Sequence, residues 1–107
     1  MSKKRLAVLE KMTAAGSKDP FAWYGLAMEY SSLGRLEDAV RTFTSLRDMD
    51  ATYVPMYLMC GTMLAKAGRA DDARGWLTEG LDAARAKGDS HAFSELNDAI
   101  AALPTKP

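Results

Sequence analysis

Cysteine occurs once in the 107 residues, at Cys60, and histidine once, at His91. A lone cysteine excludes an internal disulfide and gives no sign of an oxidising compartment. One histidine and one cysteine do not make a metal-ligand cluster either. An excess of one charge is also missing. Fourteen basic residues balance fourteen acidic ones, so the bulk positive charge of a phosphate-backbone binder is absent. No segment approaches the roughly 18–20 apolar residues of a membrane helix. After the basic start MSKKR, only LAVL is apolar before Glu10 and Lys11 intervene. A secretory signal needs roughly 7–15 apolar residues. The expectation is a cytoplasmic protein with neither nucleic acid nor membrane as partner and no cofactor. At 48% hydrophobic and 26% charged residues, the composition is that of a folded globular chain, and the length fits a single domain.

What the chain has is periodicity. In WYGLAMEYSSLGRLEDAVRTF, residues 23–43, Trp23, Leu26, Ala27 and Tyr30 fall at i, i+3, i+4 and i+7. That is one face of an α-helix. Gly34 follows, and Ala39 and Phe43 open a second apolar set, as in two helices folded back on each other. A shift of 34 residues reproduces the pattern. Trp23 lands on Tyr57, Leu26 on Cys60, Ala27 on Gly61, Tyr30 on Leu64, and LGRLEDA on AGRADDA. A fixed period in this range marks a repeat architecture.

Each recurring position has a physical role. Gly34 and Gly68 suit the left-handed conformation that ends a helix. Ala27, Gly61, Ala39 and Ala73 are small where a partner helix approaches, and Trp23, Tyr30 and Phe43 fill the space between helices. The pattern W-x-x-L-[AG]-x-x-Y, then a glycine, then an alanine and an aromatic, resembles the tetratricopeptide repeat. The resemblance covers 20–53 and 54–87, about two thirds of the chain. It departs at Ala51, where the family usually places a proline. The resemblance implies an all-α, α–α superhelix of TPR-like helical hairpins, with about six helices.

Stops and starts supply the map. The sequence predicts helices over about 3–15, 20–33, 36–48, 53–67, 70–87 and 90–103. Residues 1–16 form an N-terminal helix with Leu6, Leu9 and Met12 as its stripe, and 89–103 a C-terminal cap. Asp19 caps the second helix with Pro20 in its first position, Thr52 caps the fourth, and Asp89 or Ser90 caps the last. In the last helix the register slips to Phe93, Leu96, Ile100 and Leu103, as suits an end that covers the array and meets water.

Catalysis has little to stand on. GDSH at 88–91 resembles the nucleophile block of a serine-esterase family, but that block follows a strand and this chain offers none. His91 and Glu95 read as a solvated helix face, and Cys60 as a small buried hydrophobe. No glycine-rich phosphate loop is present. The chain reads as a non-enzyme.

Binding remains. The resemblance implies a concave groove lined by the first helix of each pair. Its candidates are Tyr24, Gly25, Met28, Ser31 and Ser32 in the first repeat, and Leu58, Met59, Thr62, Ala65 and Lys66 in the second. Tyr24, Met28 and Met59 stand where family members that clamp chaperone tails carry polar or basic residues, so an apolar partner segment fits better. Gly75 beside Trp76 offers a flat approach for another helix, since tryptophan is enriched at interface hot spots. With Met28, these two are the candidates for self-association. The bland alternatives are that an end helix covers Met28 and Met59 and that Trp76 packs under the last helix. The basic cluster Lys3, Lys4, Arg5 and Lys11 reads as a solvated face. The expected function is a non-catalytic protein–protein interaction scaffold that self-associates as a homodimer or higher. The alternative is a monomeric adaptor that binds a short hydrophobic or amphipathic peptide.

Overall fold

The computed structural model describes residues 3–105, and among them six helices and no strand. They are α1 (Lys3–Ala14), α2 (Pro20–Ser32), α3 (Leu36–Met49), α4 (Pro55–Lys66), α5 (Ala70–Lys87) and α6 (Ser90–Ala101). They fall into two compact units that divide between Ala51 and Thr52.

In the first unit, local chemistry starts α2. The Asp19 carboxylate accepts the Phe21 N–H at 3.0 Å, and Pro20 occupies the first turn, where its missing N–H breaks no bond. The helix stops at Gly34, whose φ of +75° lets the Arg35 N–H return to the Tyr30 carbonyl at 2.9 Å. Gly68 ends α4 in the same way, with φ +79°. Only glycine enters this left-handed region without strain. The chain then folds α3 against α2, and Leu26, Ala27, Ala39, Phe43 and Leu46 are buried.

Helix α1 packs on α2 through only part of the expected stripe. Leu6, Leu9 and Met12 each lie three residues apart, and such a series drifts about 60° per step around a helix of 3.6 residues per turn. The face turned inward is Leu6, Leu9, Glu10 and Thr13, while Met12 is 41% exposed. Much of the contact is polar. Arg5 Nε lies 3.2 Å from the buried Glu29 carboxylate, and the Tyr30 hydroxyl donates to Glu10 Oε2 at 2.6 Å. Trp23 Nε1 donates to the Ser17 carbonyl at 2.8 Å, which ties the α1–α2 turn to α2.

In the second unit, α4 and α5 approach closely because glycine sits on both sides. A Cβ at Gly61 would lie 2.5 Å from Leu77 Cγ. One at Gly80 would lie 2.6 Å from Tyr57 Cβ and 2.8 Å from Leu96 Cδ2. Met56, Tyr57, Cys60, Leu64, Ala73, Trp76 and Leu77 are buried. Helix α6 begins with the Asp89 carboxylate accepting the Ala92 N–H at 3.0 Å, and covers the hairpin with Leu96 and Leu103 buried and Phe93 and Ile100 half-buried. Thr52 does not cap α4. The helix starts at Pro55 with Val54 as its cap residue and no side-chain cap bond. The proline ring sets the first helical φ, and the preceding residues close a tighter turn from the Met56 N–H to the Tyr53 carbonyl.

Candidate partner-binding surfaces

Helix α2 buries Ala22, Leu26, Ala27 and Glu29 and leaves a second stripe outside. On that stripe Tyr24, Met28 and Ser31 are half-buried and Ser32 is exposed. Gly25, in the same series, is approached by α1: a Cβ there would meet Leu9 Cδ1 at 3.5 Å, ordinary contact. The end helix therefore borders this stripe at Gly25.

Helix α4 repeats the division. Leu58, Met59, Thr62 and Ala65 are half-buried and Lys66 is exposed, opposite the buried Met56, Tyr57, Cys60 and Leu64. The Thr62 hydroxyl donates to the Leu58 carbonyl at 2.9 Å, so it shows a methyl as much as a polar group. Thr62, Ala65 and Lys66 also form one wall of an apolar cleft of about 190 Å³, with Ala99, Ala102 and Leu103 on the other. None of the seven predicted recognition residues Tyr24, Met28, Ser32, Leu58, Met59, Thr62 and Lys66 belongs to the buried core. Methionines on such faces adapt to irregular apolar partners.

Gly75 and Trp76 part company. Gly75 is exposed, and nothing lies within 4 Å of where its Cβ would be. Trp76 is only 8% exposed, with its ring centroid 6.1 Å from that of Tyr57. The alternative in which Trp76 packs inside the chain therefore holds, and Trp76 is withdrawn as a candidate for self-association. One residue along a helix turns the side chain by about 100°, and here that step crosses from solvent to core. The large exposed hydrophobics lie elsewhere: Val8, Met12, Phe21 and Leu33. Val8 stands outside the stripe of Leu6, Leu9 and Met12 that the sequence suggests for α1.

The electrostatics support architecture. Burial first, and the hydrogen bond to Glu10 second, push the Tyr30 hydroxyl pKa up to about 12. Arg35 sits over the same ring, 4.5 Å from its centroid, and is held further in its charged form by its hydrogen bond to Asp38. His91 Nε2 lies 3.4 Å from Glu95 on an open helix face, and Cys60 is fully buried. Among the described residues, no group of three or more His, Cys, Asp or Glu side chains is placed to hold a metal ion, and no helix is long and apolar enough to cross a membrane.

No family model and no curated protein matches the chain. Solved structures do. The crystal structure of a tetratricopeptide repeat domain protein from Salinibacter ruber is 34% identical, over 78% of this chain and 93% of that one, with a TM-score of 0.70. A solution NMR structure of a tetratricopeptide repeat domain protein from the same organism is 34% identical, over 78% and 84%, with a TM-score of 0.73. The solution structure of a protein from Bordetella parapertussis is 26% identical, over 90% and 84%, with a TM-score of 0.76.

Proposed function

This chain belongs to the tetratricopeptide repeat family, whose domains are protein-interaction modules, and from that premise we propose that it recruits an apolar segment of a partner protein. The observation that carries the reading is the two-sided division of α2 and α4. Each helix buries one face in its own hairpin and leaves a methionine-bearing stripe partly open. On α2 the anchors are Tyr24 and Met28, with Ser32 at the edge. On α4 a stripe of its own offers Leu58 and Met59 as anchors, with Thr62 and Lys66 as the polar margin. The partner is a hydrophobic or amphipathic peptide, since an acidic tail finds a single exposed cation, Lys66, among these seven residues. Affinity comes from buried apolar area at roughly 25 cal/mol per Å², less the cost of association. No residue is assigned a catalytic role.

Panning a displayed library of random peptides against the folded chain tests this. Apolar or amphipathic sequences are expected to enrich, and Met28→Glu and Met59→Glu to abolish their binding while leaving helicity unchanged. Failure to enrich any sequence, or binding indifferent to both substitutions, would refute it.

A second reading is self-association. Val8 and Met12 favour it: one turn apart on α1 and 56% and 41% exposed, they form an apolar stripe facing water. Trp76 does not serve as its anchor, because the ring is occupied by the chain's own core. The compartment we propose is the cytoplasm.

A further inference from the structure

Resting on the self-association reading, we infer that the outer stripe of α1 docks on the α6 face of a second copy of this chain. Val8 and Met12 lie one turn apart on α1 and are 56% and 41% exposed. Lys4 and Lys11 flank them on the same exposed face. The helix carries a single acid, Glu10, and it is turned inward to the Tyr30 hydroxyl. An apolar stripe rimmed only by cations selects a surface that is apolar and acidic together.

Such a surface exists in this chain. Glu95, Asp98, Ala99 and Ala102 follow one another at i, i+3, i+4 and i+7, a single face of α6. Glu95, Asp98 and Ala102 are exposed. From Gly88 to Thr105 the sequence contains no lysine or arginine. The small residues of the stripe open into the apolar cleft of about 190 Å³ between α4 and α6. A cavity of about 150 Å³ accommodates benzene, so this cleft has room for a valine or methionine side chain. Two cations lie at the C-terminal end of this stretch: Lys66 lines the cleft with Ala99, Ala102 and Leu103, and Arg74 donates to the Pro104 carbonyl at 3.1 Å. Glu95 lies two turns before Ala102, about 10 Å along the axis, toward the end of α6 away from Pro104. His91 reaches Glu95 from the same helix at 3.4 Å and does not cover Asp98.

The contact joins two different surfaces, so each bound copy keeps one of each. Association then continues past a pair unless a ring closes. Charge steers the approach, and a side chain of the Val8–Met12 stripe seated in the cleft holds it.

Light scattering on a sizing column, with the full chain over a concentration series at about 0.05 M and about 0.5 M salt, tests the inference. The expected result is a mass above 11.6 kDa that grows with concentration and falls with salt. Lys4→Glu with Lys11→Glu weakens association at least about tenfold, as does Val8→Asp. All these positions are exposed, and circular dichroism checks that each variant folds. Adding Glu95→Lys and Asp98→Lys to the double lysine variant restores association. A monomer throughout the wild-type series overturns both the self-association reading and this contact. Association that ignores the α1 substitutions overturns the contact alone, and failure of the fourfold variant to recover overturns α6 as its acceptor.

Discussion

Alanine placed at the helical glycines should have opposite effects at different sites, and the geometry gives the sign at each. In an exposed helix interior, glycine to alanine stabilises by roughly 0.5–1 kcal/mol, because the unfolded chain loses freedom and the helix gains a better former. Gly75 meets that condition, since nothing lies within 4 Å of its missing Cβ. Gly25 is close to it: the new methyl would touch Leu9 at 3.5 Å, ordinary contact. Gly61 has the same helical gain but no space. Its Cβ would stand 2.5 Å from Cγ of Leu77, a side chain with 0% exposure and nowhere to swing. Overpacking of this kind costs about 1–3 kcal/mol, which exceeds the propensity gain. At Gly80 the obstacle is Tyr57 Cβ at 2.6 Å, one bond from the backbone of α4, so relief requires α4 and α5 to part. Gly80→Ala should therefore be the most damaging, and Gly75→Ala the most stabilising, with roughly 2 kcal/mol or more between them. For a domain of this size each kcal/mol moves Tm by about 4–8 °C. Thermal and urea unfolding followed by far-UV circular dichroism would rank the four variants. A Gly61→Ala or Gly80→Ala protein as stable as the wild type, or a destabilised Gly75→Ala, would refute the close-approach reasoning.

Two further perturbations probe the contacts that hold the ends. Tyr30→Phe removes the 2.6 Å bond to Glu10 and should destabilise the chain by about 1–2 kcal/mol. The folded pKa, about 12, lies above the unfolded value of about 10. The stabilisation is therefore complete below pH of about 10 and is lost as pH rises through about 12. Stability against pH should fall more steeply in that window for wild type than for the variant, and ultraviolet absorbance should show a late tyrosine ionisation in wild type that the variant lacks. Parallel curves would contradict it. Trp76→Ala empties a buried site beside Tyr57 and should cost about 3–5 kcal/mol in urea unfolding, whereas a near-neutral result would return Trp76 to the surface.

Much of the architecture was legible because its causes are local. Asp19, Pro20 and Gly34 act within a few residues of themselves, and the helix they bound follows from backbone chemistry. The stripe Phe93, Leu96, Ile100 and Leu103 was readable for the same reason, since its spacing keeps one face. Helix α1 was not readable in that way. Its apolar residues are spread around the helix, so composition did not choose a face. The choice followed from partners on α2, Glu29 for Arg5 and Tyr30 for Glu10, which are distant in sequence. The start of α4 was misplaced for a related reason: Thr52 is a good cap in isolation, but Pro55 sets where the helical dihedrals begin. The seven proposed recognition residues come from the repeat pattern, and the structure leaves all of them outside the buried core.

By itself, then, the sequence determined the all-α hairpins, their stops and the repeat that relates them, because periodicity, caps and left-handed glycines act over one or two turns. Tertiary structure alone decided that Trp76 turns inward, that Glu10 and Glu29 are taken up by α1–α2 packing, and that Val8 and Met12 are left facing water. Burial is a property of what lies opposite a side chain, and no residue carries that information in its own neighbourhood.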